Sequence, residues 1–228
     1  MLRLIISFVG YGNDMQGQYV FIGGVGRSGT SVLRELMATN SETIAFPFEY
    51  RFLIDPDGLI DFINSYSSSW SPYLADRKVK RLERFLTGLG KKQLFPHILG
   101  ELIRSNDKLK KLITADSYHG WELEEHFPNY LEHVKTLIAS LKSFEFSASW
   151  AGAESFQYQH QVSYCRPLEL DEIYDISSAF CQNLFQGLFE KHQKGFLVED
   201  NTWNLLFINE LGRLFQGAKF IHVYRDPR

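Results

Sequence analysis

The chain has 228 residues, enough for one large domain, and its 44% hydrophobic and 22% charged residues exclude wholesale disorder. Its formal net charge of −3 excludes a general attraction to polyanions, so we expect no nucleic-acid partner and only a local anion site. Its two cysteines lack a CxxC spacing, which predicts neither a disulfide framework nor a metal site and fits a cytoplasmic protein.

The N-terminal part of the chain is predicted to form strands around a glycine-rich turn. The apolar run of residues 2–9 is far shorter than the roughly 20 residues of a membrane-spanning helix. It predicts an additional strand or a leader, and no membrane span. The pattern that follows predicts a buried strand, a helix and a short strand at residues 19–24, 30–38 and 43–46.

The middle of the chain is predicted to be mainly helical. A helix is expected from Gly58, with Asp57 as its N-cap, and another over residues 74–88. Residues 93–165 are predicted to be mostly amphipathic helix with loops. The longest helical pattern covers residues 169–192.

Two more strands are predicted near the C-terminus, in the segments GFLVED and AKFIHVY, with a helix between them whose N-cap lies near Thr202. Apolar strands separated by helices indicate an α/β fold, with a parallel sheet flanked by helices and a large helical insertion. Ligands of such sheets bind at the carboxyl ends of the strands. The glycine-rich turn and the segment RDPR at residues 225–228 are therefore expected to face one cleft.

The turn GVGRSG at residues 24–29 fits two common nucleotide-binding patterns in part. It matches the dinucleotide fingerprint GxGxxG, but the acidic residue that should end a second strand, Glu49, follows Pro47 in an expected loop. It also matches most of a P-loop. However, Thr30 stands where a P-loop has lysine, and we expect no acidic strand end that could hold Mg²⁺.

A third interpretation keeps the geometry of the turn and changes its ligand. Backbone N–H groups of a glycine-rich turn at a helix N-terminus form a nest for one phosphate group, with no metal required. Arg27 adds a positive charge beside this nest. Hydroxyl donors are added by Ser28, Thr30 and Ser31.

Three segments, in the same order along the chain, carry a resemblance to the sulfotransferase family. FIGGVGRSGTSVLREL resembles the family's 5′-phosphosulfate-binding loop, and GAKFIHVYRDPR resembles its 3′-phosphate-binding strand end. LVEDNTWNLLFINEL resembles the segment before that strand, but has EDNTW where many members have Lys-Thr-Pro. Trp203, in this segment, either packs in the core or stacks on an adenine.

The resemblance implies a P-loop-like fold and 3′-phosphoadenosine 5′-phosphosulfate (PAPS) as sulfuryl donor, with adenosine 3′,5′-bisphosphate as its product and no metal. Arg27 would meet the charge of the leaving phosphate and act in catalysis. Arg225 would bind the 3′-phosphate. The expected cofactor-binding residues in the loop are Gly26, Arg27, Ser28, Gly29, Thr30 and Ser31.

The general base is expected at Glu49 or at a histidine. The segment FEYR places Glu49 and Arg51 where the tyrosylprotein sulfotransferase branch has a Glu-x-Arg motif, which implies Glu49 as base and Arg51 near the acceptor. The alternative is that Glu49 is a surface carboxylate paired with Arg51. Among the histidines, His119 is the second candidate, on the acceptor side.

We therefore predict a single sulfotransferase-like domain over residues 1–228. Residues 18–51 and 195–228 would form the cofactor-binding core, and residues 52–190 the acceptor side. The resemblance implies a further serine about eight residues after Arg225, so we expect the site to be incomplete and PAPS binding weakened. The acceptor would be a hydroxyl or amine of a small molecule, carbohydrate or peptide. Two alternatives are a P-loop kinase or hydrolase and a non-catalytic binding module.

Overall fold

A β-sheet lies at the centre of the computed structural model, which describes residues 3–7, 17–90, 122–148 and 161–225. The sheet has five described strands in the order β1-β7-β2-β6-β3, and two further strands form a separate antiparallel pair. The strands are β1 (Arg3–Ser7), β2 (Gln18–Gly24), β3 (Thr43–Ala45), β4 (Phe144–Phe146), β5 (Val162–Tyr164), β6 (Phe196–Asp200) and β7 (Lys219–Tyr224).

Four strands of the sheet are parallel, and β1 pairs antiparallel with β7 at one edge. The central strand β2 is buried from Val20 to Gly24, because it has neighbours on both sides and layers packed on both faces. The prediction of a P-loop-like α/β fold is confirmed. The N-terminal apolar run forms strand β1, one of its two predicted states.

Helices flank the sheet, and most of them belong to the large helical region predicted between β3 and β6. None of the described helices is long and apolar enough to cross a membrane. The described helices are α1 (Thr30–Ala38), α2 (Arg51–Ile54), α3 (Leu59–Ser68), α4 (Pro72–Gly90), α5 (Leu123–His126), α6 (Tyr130–Leu141), α7 (Leu170–His192) and α8 (Ile208–Leu214). The longest, α7, begins with a capping box in which Glu169 and Glu172 each bind the other's backbone N–H.

An aromatic cluster joins the helical region to the sheet. The Tyr50 ring is 1% exposed and lies 5.6 Å from the ring of Phe127 and 5.5 Å from the ring of Phe185 (centroid to centroid). Phe185 on α7 in turn contacts Tyr19 of β2. Since Tyr50 is the neighbour of Glu49 in sequence, this packing fixes the backbone that carries Glu49.

One predicted N-cap is wrong. The N-cap of α3 is Gly58, which makes no side-chain cap, whereas Asp57 has a left-handed backbone with φ 64° and pairs with Arg81. The helix expected to have its N-cap near Thr202 has Trp203 as N-cap; it begins as a 3₁₀ helix at Asn204–Phe207 and continues as α8. The antiparallel pair of β4 and β5 lies in a segment predicted as helix and loops, because three residues are too few to establish a period.

Candidate functional site

The loop between β2 and α1 has the backbone geometry of an anion-binding nest. Arg27 and Gly29 are left-handed, with φ 66° and φ 107°, and the N–H of Ser28 donates to the carbonyl oxygen of Val25 at 3.0 Å. Alternation of left- and right-handed residues turns successive N–H groups, including those near Gly26, toward one concavity. A left-handed arginine costs on the order of 1 kcal/mol, and such strain concentrates at functional sites.

Close packing around Gly24 fixes the base of this loop. A Cβ atom at Gly24 would lie 2.5 Å from the carbonyl oxygen of Val223 and 2.6 Å from Ser28 Oγ, so only glycine fits. Ser28 is 3% exposed, and its Oγ has no hydrogen-bond partner among the described residues. An unsatisfied buried hydroxyl costs about 1–3 kcal/mol, and a bound anion oxygen would satisfy it.

The first turn of α1 adds further donors to the loop. Gly29 is the N-cap and supplies no side-chain cap, and the first turn contains no acidic residue. The N–H groups of a first helical turn have no partner inside the helix, and the helix dipole favours negative charge there. Thr30 and Ser31 therefore begin the helix where the loop could hold a phosphate group.

The strand neighbouring β2 ends in a carboxylate that contacts α1. Asp200 is 3% exposed, and its Oδ2 accepts from Ser31 Oγ at 2.9 Å and its Oδ1 from Arg34 Nη1 at 2.7 Å. The sequence-based expectation of no acidic strand end beside the loop is therefore wrong. Asp200 belongs to the segment EDNTW, in which the chain differs from the sulfotransferase pattern. Asp200 lies beside β2 because β6 and β2 are neighbours in the sheet.

Glu49 lies at the same edge of the sheet and is held by two elements. Its Oε2 accepts from Arg51 Nη1 at 2.7 Å and from Asn201 Nδ2 at 3.4 Å, directly after β6. Arg51 Nε also donates to Asp55 Oδ2 at 2.7 Å. The pairing with Arg51 is therefore present, and the contact with Asn201 ties Glu49 to the carboxyl end of the parallel sheet.

A second carboxylate, Glu199, is buried behind Glu49. Its Oε1 accepts from the Tyr50 backbone N–H at 3.2 Å, and its Oε2 accepts from Asn204 Nδ2. Burial raises the pKa of Glu199 from its usual 4.5 to about 8, against the opposing effect of these hydrogen bonds. Glu199 thus joins β6 to the segment that carries Glu49.

Arg225 lies beside the loop, and His119 lies outside the described residues. In the sheet, Val223 of β7 is in register with Gly24, so Arg225 follows β7 at the edge where the glycine-rich loop begins. Arg225 is exposed. The Trp203 side chain is 55% exposed, so the prediction that it packs in the core is wrong.

Comparisons with known proteins agree with this geometry. A protein-family model described as the sulfotransferase family matches residues 19–228, which include the glycine-rich loop, Glu49 and β7. The chain belongs to the sulfotransferase family. Neither the curated proteins nor the solved structures include a significant match.

This sulfotransferase-family chain carries candidate site residues that sequence reasoning missed. Glu199, Asp200 and Asn201 stand at the end of β6, and their side chains contact Tyr50, α1 and Glu49. The available signal was a run of three polar residues at the carboxyl end of a predicted strand, at the edge where ligands bind. Within the described ranges, no group of three or more His, Cys, Asp and Glu side chains is placed to hold a metal ion.

The buried Glu199 predicts a stability that falls as pH rises. Its pKa is higher in the folded state than in the unfolded state, so between about pH 5 and 8 the folded state holds the extra proton. We expect the free energy of unfolding of the native chain to fall by roughly 2–4 kcal/mol relative to that of Glu199→Gln across this range. Urea unfolding of both proteins at several pH values measures the difference. A difference independent of pH would contradict the prediction.

Proposed function

We propose that this chain transfers a sulfuryl group from PAPS to a hydroxyl or amine acceptor. The observation that carries the proposal is the nest of residues 24–31, in which the buried Ser28 Oγ has no partner among the described residues. When bound, PAPS would supply an electron-poor sulfuryl group on a 5′-phosphate that leaves with negative charge. The nest, the first turn of α1 and the buried hydroxyl all suit the oxygens of such a phosphate.

In this proposal the loop stabilises the charge that develops on the leaving phosphate. Arg27 supplies a positive charge, and the N–H groups of Gly26, Arg27, Gly29, Thr30 and Ser31 are backbone donors that need no rearrangement during transfer, which is the main source of electrostatic catalysis. The N–H of Ser28 is already donated to the carbonyl oxygen of Val25. The hydroxyls of Ser28 and Thr30 bind the same oxygens, while Ser31 binds through its N–H because its hydroxyl donates to Asp200. Arg225 binds the 3′-phosphate at the neighbouring strand end.

Glu49 acts as the general base in the proposed reaction, and Arg51 orients it toward the acceptor. The Glu49 side chain is 34% exposed, so an acceptor could reach it. A positioned base typically contributes about 10²–10⁴-fold to a transfer rate. The acceptor would lie between the cofactor-binding core, residues 18–51 and 195–228, and the helical region of residues 52–190. It would be a small molecule, carbohydrate or peptide.

A P-loop kinase is the second candidate, favoured by one observation. P-loop nucleoside triphosphatases hold Mg²⁺ with the loop Ser or Thr and an aspartate at a strand end, and here Ser31 contacts Asp200 at 2.9 Å. Two features oppose it. Thr30 replaces the lysine that reaches the β- and γ-phosphates, and the charge of Asp200 is already balanced by Arg34 in a pair that is nearly buried.

Calorimetry with three nucleotides distinguishes the candidates. We expect adenosine 3′,5′-bisphosphate to bind in the presence of EDTA, and adenosine 5′-monophosphate and ATP with Mg²⁺ to bind at least ~10-fold more weakly. The factor follows from the loss of charge-assisted hydrogen bonds to the 3′-phosphate, at about 1.5–3 kcal/mol. Tight binding of ATP with Mg²⁺ and none of the bisphosphate would overturn the proposal. Bisphosphate binding without any transfer from PAPS would indicate the non-catalytic module instead.

A further inference from the structure

We infer that Asn201 is a positioning residue for Glu49: its amide holds one carboxylate oxygen against the carboxyl end of the sheet and leaves the other for the acceptor. The inference rests on the proposed role of Glu49 as base. Asn201 does not contact the reacting atoms in this proposal and acts through Glu49.

Asn201 is fixed to the sheet by its own backbone. Its side chain and backbone together are 1% exposed. Its N–H donates to the carbonyl oxygen of Ile22 on β2 at 3.1 Å, and its carbonyl oxygen accepts from the Asn204 N–H at 3.0 Å. Asn201 therefore stands on the rigid centre of the fold, which is where a group that must hold another in place is most effective.

The orientation of the Asn201 amide follows from its two partners. Its Oδ1 accepts from the Trp203 backbone N–H at 3.0 Å, and a backbone N–H can only donate. The other end of the amide, Nδ2, must therefore face Glu49, where it lies 3.4 Å from Oε2. This contact is longer than the one from Arg51, but catalytic hydrogen bonds are often long before substrates bind and shorten in the complex.

The consequence for Glu49 is that its two oxygens differ. Arg51 and Asn201 both donate to Oε2, and no described residue donates to Oε1. The side chain of Arg51 is 31% exposed, whereas Asn201 is buried, so Asn201 is the more rigid of the two donors. Oε1 is thereby presented for the proton of the acceptor.

Asn201→Asp separates positioning from a structural role. The aspartate has the same shape and can still accept from the Trp203 N–H, but it places an oxygen against the Glu49 carboxylate. We expect kcat to fall ~10–150-fold, the range for a hydrogen bond to a charged group, with KM for PAPS and Kd for adenosine 3′,5′-bisphosphate within twofold of the native values. In the E49Q background the same change should cause no further fall, since residues in one network are not additive. Asn64→Asp, on an exposed face of α3, is the matched control.

The assay uses ³⁵S-labelled PAPS with 2-naphthol, a tyrosyl peptide and a glucosamine oligosaccharide as acceptors. Native transfer rates for Asn201→Asp, or additive effects with Glu49→Gln, would overturn the inference. Where the native chain binds the bisphosphate but transfers to none of these acceptors, the test uses a double-mutant cycle of thermal stability. Tm is then measured for the native chain, Asn201→Asp, Glu49→Gln and the double variant. Asn201→Asp should then lower Tm in the native background and leave it unchanged in the E49Q background, and equal shifts would overturn the inference. Failure of the native chain to bind the bisphosphate counts against the proposed function and is seen before any variant is compared.

Discussion

Glu49→Gln is expected to lower kcat for sulfuryl transfer by about 10²–10⁴-fold while leaving the Kd of adenosine 3′,5′-bisphosphate within twofold. The amide has the shape of the carboxylate and can still accept from Arg51, but it does not take up the acceptor's proton. Cofactor binding should be unchanged because Glu49 lies outside the glycine-rich loop, which holds the leaving phosphate in the proposal. Initial rates with labelled PAPS and calorimetry with the bisphosphate measure the two quantities.

Glu42→Gln is the matched control for this change. Glu42 is an exposed glutamate directly before β3, and only its backbone takes part in described hydrogen bonds. Its replacement should leave both quantities unchanged. Transfer that survives in Glu49→Gln at the native rate would remove Glu49 from the mechanism and return the base role to a histidine such as His119.

The fold was predictable from sequence because its elements carry strong local patterns. Strand β2 is an apolar run between a polar start and a glycine-rich end, and α1 and α7 match their predicted bounds to within a residue. The failures are the elements with weak local signals. The strands β4 and β5 have three residues each, too few to establish a period, and the 3₁₀ geometry of Asn204–Phe207 is set by the hydrogen bonds of Asn201 and Asn204 to β2.

The candidate site likewise has one part that the sequence predicts and one part that it does not. The loop of residues 24–31 is local, because its glycine positions and its place between a strand and a helix are visible in one short segment. The group of Glu199, Asp200 and Asn201 is not encoded locally. Their partners Tyr50, Ser31 and Glu49 lie about 150–170 positions away in sequence, and they meet only because β6 lies directly beside β2 in the sheet.

The end of β6 also determines how charge is distributed around the loop. In the segment EDNTW the Asp200 carboxylate is paired with Arg34 in a nearly buried contact at 2.7 Å. The charge of Arg34 is thus balanced within the protein. Arg27, which is exposed in the loop, carries a charge that a bound phosphate can balance instead.

Arg27→Met should therefore weaken binding of adenosine 3′,5′-bisphosphate by about 10–150-fold, the effect of losing one charge-assisted hydrogen bond of 1.5–3 kcal/mol. Methionine keeps the length and the apolar stem of arginine, so the change removes the charge and the donors. The left-handed backbone at residue 27 is costly for either residue, so the strain of the loop stays similar. Calorimetry at two salt concentrations should show a weaker salt dependence in the variant, because one charge contact is lost.

Arg84→Met, on the exposed face of α4, is the control for a general loss of positive charge and should bind the bisphosphate as the native chain does. If both variants weaken binding equally, the effect is long-range electrostatic attraction, and Arg27 makes no specific contact with the bisphosphate. If Arg27→Met binds normally while Ser28→Ala binds weakly, the phosphate is held by the nest and its buried hydroxyl. The positive charge of the loop then acts during transfer, when negative charge builds on the leaving phosphate, and the loss should appear in kcat.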